Sequence, residues 1–281
     1  MLNVARRHAA GIAVLIVGIA VLAGSALLLV LTGNADIRYS ADHDDTVPMW
    51  TRWMPALVGI ALVRLVPLSV PDGEPLPAER APRLKAAVLT ASAVLFAVLL
   101  WFADQPEPTH TVLKLVLLLG VPAVLFWVLG RGAIPRTPVH RLAPAIPVLA
   151  WLLLSYTGPL AAPPSDFGST VDLTTLLVTM VVVFLINSFL EEVFYRRWLQ
   201  TRWEFLLGRW PAIVLASLLW AVWHIGIQGN GDLPVDLASA FANQGVTGLF
   251  LGYLWSKYRA MWPLLLIHGA INAAPILIGL L

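Results

Sequence analysis

The sequence predicts an all-α fold, a polytopic transmembrane helical bundle of about 8–9 transmembrane helices with a cytoplasmic N-terminus. Three observations predict it. Apolar residues come in blocks long enough to cross a bilayer, roughly 17–25 residues each. Only 12% of the 281 residues are charged and 59% are hydrophobic, whereas an ordinary soluble domain carries about 25% charged residues. Lys and Arg collect in alternate gaps between the blocks, the pattern expected of cytoplasmic loops.

The first block, 9–32, follows Arg6 and Arg7 as a signal peptide would. Its run of about 24 apolar residues exceeds a typical h-region of roughly 7–15, so it is read as a retained anchor. The others are 53–70, 86–103, 112–130, 145–162, 172–195, 212–228, 236–257 and 262–281, of which the second, fifth and eighth blocks are the weakest. Arg64 and Lys114 lie within nominal spans, each near a segment end, where a long side chain snorkels to the interface. Twelve Trp residues sit mostly near segment ends, at headgroup level. The alternating strand pattern of an outer-membrane barrel is absent, and helices are the remaining way to satisfy backbone polar groups in lipid.

The gaps test this order. Of the 18 basic residues, 14 fall in the stretches assigned to the cytoplasm, from Arg6 and Arg7 through Arg196, Arg197, Arg202 and Arg209 to Lys257 and Arg259. The outer stretches hold Arg38 and Arg52 and ten of the 16 acids. Nine spans, N-terminus inside and C-terminus outside, fit this alternation. The loop at 33–52 is acidic, and its Asp42-His43-Asp44-Asp45 run reads as solvated acids rather than a metal site. Pro71-Asp72-Gly73-Glu74-Pro75-Leu76-Pro77 is a Pro-rich connector.

With a net charge of +2 and basic residues serving as topology signals, no nucleic-acid partner is expected. The absence of Cys excludes disulfides, thiolate nucleophiles and Cys-based metal sites. There is no repeat and no separate soluble domain. Residues 1–171 carry no recognised motif, and the chemistry concentrates in 172–281, within one integrated membrane domain.

In the sixth block Glu191 and Glu192 adjoin a continuous apolar run. A carboxylate at mid-bilayer costs about 2.5–3.5 kcal/mol, so such groups normally face a protein interior or a water-filled cavity. Glu192 and Arg196 are i and i+4 and can pair on one helix face. Glu191 is turned about 100° away and is left free to move a proton. Glu191 lies 18 residues before Arg209 and His224 lies 15 after it. Both are then about 25 Å along an antiparallel hairpin and meet if the Glu helix continues to about residue 207. His268 and Asn272, also i and i+4, aim at a common point, although His268 matches that depth less well. A carboxylate, two imidazoles and an amide have the parts to hydrolyse an amide bond through a base-activated water and oxyanion donors. The same set could instead hold a divalent metal through Glu191, His224 and His268. No His-Glu-x-x-His motif and no Ser or Cys nucleophile signature is present, which favours water as the attacking group.

Glu191-Glu192-x-x-x-Arg196, Trp220-x-x-x-His224 and His268-x-x-x-Asn272, in that order, resemble the three-part signature of the CAAX-protease and bacteriocin-processing family. Its members are intramembrane glutamate endopeptidases related to the type II CAAX prenyl endopeptidases. The resemblance covers about 172–281. It implies a conical cavity open to the cytosol or membrane, with Glu191 as water-activating base and His224 holding and polarising that water. It makes Glu192 and Arg196 orienting residues and His268 with Asn272 the oxyanion hole. Trp220 and Trp223 would wall the substrate pocket. The family usually has Phe where Trp220 stands, which implies a changed pocket width. No cofactor is required by this reading, and a divalent metal such as Zn stays open.

The expected partners are a peptide or membrane-protein substrate and the lipid bilayer, in a bacterial cytoplasmic membrane. Two alternatives stand beside the endopeptidase: a non-proteolytic membrane scaffold or immunity protein of the same fold, and a proton pathway or transporter. The latter would normally show paired repeats, which this sequence lacks.

Overall fold

A computed structural model describes residues 2–39, 45–69, 79–103, 106–132, 134–135 and 137–281. The Asp42-His43-Asp44 run and the Pro71–Pro77 connector lie outside the described residues. Each of the nine apolar blocks coincides with helix. The helices are α1 (Leu2–Leu31), α2 (Met49–Leu65), α3 (Pro82–Trp101), α4 (Glu107–Leu129), α5 (Ala145–Tyr156), α6 (Leu173–Leu207) and α7 (Arg209–Gln228). Then α8 runs unbroken through Leu233–Ala240, Phe241–Gly245 and Val246–Tyr258, and α9 is Met261–Gly279.

Six of these, α1, α3, α4, α6, α7 and α9, are long and apolar enough to cross a membrane. The chain is thus an all-α, multi-pass integral membrane protein. The three weaker blocks are helices that fall short of that standard. Helix α5 stops at Tyr156 because Thr157 turns extended before Gly158-Pro159, and its 12 residues rise only about 18 Å. One non-helical feature was unanticipated: β1 (Asp36–Arg38) pairs antiparallel with β2 (Thr46–Pro48). Buried Ile37 docks this ribbon beside Leu29, Met49 and Ala238, against α1 and α8.

Helix α6 is the axis of the site. Asp172 caps it by accepting from the Thr174 and Thr175 amides at 2.9 and 3.1 Å. The Thr175 hydroxyl on the same carboxylate, with those amides, holds Asp172 below the usual carboxylate range. The helix runs 35 residues, about 50 Å, and therefore extends well past a hydrocarbon layer of about 30 Å. It ends at Gly208, whose φ of 91° is open to glycine at little cost, and Pro211 lies in the first turn of α7.

Around this axis, α7 packs against α8 and α1, α2 against α5 and α8, α3 against α4 and the far end of α6, and α9 against α5 and α6. Small residues set the α7–α8 distance. A Cβ added at Gly248 would lie 2.9 Å from the Ser217 Cβ. Gly248→Val is therefore expected to cost about 1–3 kcal/mol by overpacking, read as a lower thermal midpoint in detergent; an unchanged midpoint would contradict this packing.

Several basic residues read as loop charges are in fact wholly or largely buried and paired. Lys85 and Arg202 share Glu79, at 3.0 and 3.3 Å. Lys257 donates to the Val63 and Pro67 carbonyls at 2.6 and 2.7 Å, and Arg259 pairs with Glu204. These contacts tie α2, α3, α6 and α8 together at one end of the bundle.

Candidate active site

Glu191 sits midway along α6, 1% exposed. Both its oxygens accept strong donors. Lys114 Nζ, from α4, donates to Oε1 at 2.5 Å, and Trp220 Nε1, from α7, donates to Oε2 at 2.5 Å. The same ammonium donates to Asn187 Oδ1 at 2.7 Å and lies 4.5 Å from the centre of the Trp223 ring. Lys114 does not snorkel: it is fully buried. A charge this deep in a span is tolerated because a counter-charge meets it there. Glu191, expected to be free of Arg196, nonetheless has a cationic partner. Arg196 does not neutralise it, but Lys114 does.

Glu192 faces the other way. His268 Nδ1 lies 2.7 Å from its Oε1, and Arg196 Nε lies 3.4 Å from its Oε2. The Arg196 contact is an ion pair without hydrogen-bond alignment. The guanidinium also sits 5.1 Å from the centre of the Trp220 ring. His268 thus does reach the carboxylates, and its Nε2 is 4.0 Å from Glu191 Oε2. Two features narrow the depth mismatch. The turn before α9 is not level with Gly208, since Arg259 pairs with Glu204 inside α6. Helix α6 is also π-wound, over Phe184–Phe189 and over Glu192–Gln200, and the wider turns of the second segment, between Glu191 and Gly208, advance less per residue. Such π segments are frequent at functional sites.

His224, near the end of α7, places Nδ1 3.0 Å from the Trp220 carbonyl. A carbonyl only accepts, so Nδ1 carries the proton and a neutral ring keeps Nε2 as an acceptor. The ring stacks on Trp223 at 3.8 Å. Asn272 donates to Ser188 Oγ at 3.0 Å, across from α9 to α6.

Glu191, Trp220, Trp223, His224, His268 and Asn272 all line one cavity of about 340 Å³. Glu192 and Arg196 stand behind it. All eight residues singled out in the sequence therefore converge, six on the cavity and two supporting His268. Residues the sequence reading missed are Lys114, Asn187 and Arg52. The signal for Lys114 was present, a cation in an apolar run, but its partner is 77 residues away.

The donor set does not fit a resident divalent metal. Among the described residues no group of three His, Asp or Glu side chains is arranged to hold one. A lysine ammonium already lies where a cation would meet Glu191 Oε1.

Residues 173–274 match the family model described as Rce1-like, "Type II CAAX prenyl endopeptidase Rce1-like". The matched stretch contains all three motifs. Lys114 and Arg52 lie outside it. No curated protein and no solved structure matches the chain.

Proposed function

We propose that this chain is an intramembrane endopeptidase that hydrolyses a peptide bond with water activated by Glu191 and His224. The reading rests on one observation above the others: three separated motifs bring a carboxylate, two imidazoles and an amide to one cavity wall. The match of residues 173–274 supports the same reading. In this mechanism a water molecule lies between Glu191 and His224 Nε2. Glu191 takes its proton as the hydroxide attacks the substrate carbonyl. Lys114 and Trp220 fix the carboxylate while leaving each oxygen a second lone pair for that water. The Asn272 amide donates to the developing oxyanion, and His268, held at Nδ1 by Glu192, faces it through Nε2. Glu191 then returns the proton to the leaving amine.

The proposed division of labour has 172–281 as catalytic core and 1–171 as a casing that contributes Lys114. A cytoplasmic N-terminus, with the α6–α7 turn on the same side, remains the proposed topology. The chain has no native Cys, so single cysteines report sidedness cleanly. Asn230→Cys is expected to label from outside intact cells and Arg209→Cys only after permeabilisation. The reverse pattern would invert the topology.

The test of function is cleavage of a quenched fluorescent CAAX-type peptide library by the purified protein beside Glu191→Gln and His224→Ala. Cleavage lost in both variants, and retained in chelator, is the expected result. Equal signal in all three proteins would mean that the activity is not this protein's. The non-proteolytic scaffold draws on one observation, that both Glu191 oxygens are already occupied. It requires a folded native protein without cleavage and a biological effect that survives Glu191→Gln.

A further inference from the structure

Among the described residues, the charges around the cavity do not all pair off. Glu191 is balanced by Lys114 and Glu192 by Arg196. That leaves Arg52, in the first turn of α2, which also lines the cavity. Its Nη2 donates to the Leu160 carbonyl at 3.2 Å, so the side chain is held inward. Its Nε is buried without a hydrogen-bond partner, and none of the ion pairs among the described residues includes it. The residue is half-buried but its Nε is enclosed, and an ionic group enclosed in this way in a membrane protein ordinarily has a counter-charge or marks a substrate path. Much of the remaining wall is apolar, including Trp151, Met180, Val183 and Ile276. A cavity of about 340 Å³ is at the small end of ligand pockets and suits a short segment.

We propose that Arg52 is a carboxylate-recognition residue: it pairs with an anionic group of a short apolar peptide held in the cavity that Glu191 also lines. The carboxylate is either the peptide's C-terminus or an acidic side chain. The guanidinium, an always-charged planar fork, suits either source. Its bearing on cleavage rests on the endopeptidase reading, whereas the binding claim does not.

The experiment measures binding by fluorescence anisotropy to the full chain in nanodiscs. The probes are apolar tetrapeptides made uncleavable by N-methylated amides. One has a free C-terminal carboxylate, one a C-terminal amide, and one an amide end with an acidic side chain. The expected result is about tenfold tighter binding of a carboxylate form than of the plain amide. Whichever carboxylate form is preferred identifies the source. Arg52→Gln should abolish the preference and Arg52→Lys should keep part of it, with unfolding midpoints confirming that each variant is folded. Equal binding of all three probes, no binding of any, or a preference that survives Arg52→Gln would overturn the assignment. If the carboxylate probe binds through Arg52 but the native protein cleaves nothing, the endopeptidase reading fails and the Arg52 site stands.

Discussion

Lys114→Met is expected to lower the unfolding free energy by about 3–5 kcal/mol, because it leaves a buried carboxylate without its counter-charge. Lys114 and Glu191 are both essentially excluded from solvent and 2.5 Å apart. Neither can turn to water when the other is removed. Methionine keeps most of the lysine's length, so the loss should report charge rather than a cavity. The double variant Lys114→Met/Glu191→Gln is expected to recover most of the loss, since two neutral groups of similar volume replace a buried ion pair at little cost. Denaturation midpoints of the four proteins give the coupling directly. Costs that simply add would mean that the pair carries no net interaction and that Lys114 is held by Asn187 and Trp223 instead.

Glu191→Gln is expected to lower kcat by about 10²–10⁴, the range that a positioned general base contributes, with little change in KM. Glutamine keeps the shape of the side chain and still accepts from Trp220, so the cavity wall is preserved. It cannot take a proton from water. It also leaves Lys114 without its counter-charge, which lowers stability and could be mistaken for the cause of inactivity. The Lys114→Met/Glu191→Gln protein separates the two effects. It should regain stability and remain inactive, as a base and a structural pair are different demands on one side chain. A double variant that cleaves at the native rate would remove Glu191 from the chemistry.

How much of this site was legible in sequence depended on whether its contacts were local. Glu192 and Arg196 are one turn apart, as are Trp220 and His224 and as are His268 and Asn272, so helical spacing made each pair readable. Bringing Glu191 and His224 to one cavity was also within reach, because α6 and α7 are consecutive and antiparallel and the turn at Gly208 sets their register. His268 was misjudged for depth because regular α-helical rise was assumed where α6 is π-wound, and because the turn before α9 was placed level with Gly208. The π segments carry no composition that distinguishes them from the helix around them. Lys114 was misread on the rule that a cation near a span end snorkels. That rule concerns side chains facing lipid or water, and which way α4 faces is a matter of packing.

Apolar content, helical period and chain order are properties of the amino-acid sequence alone. They suffice for the membrane setting, the helical blocks, and the clustering of ionisable groups in 172–281. The pairing of the charges is a property of the packed bundle. Lys114 and Glu191 are 77 positions apart, and His268 and Glu192 are 76 apart. No periodicity encodes such partners. They are chosen by which helix faces pack together, where an unmatched buried charge is costly enough that the bundle settles with Glu191 and Glu192 each matched.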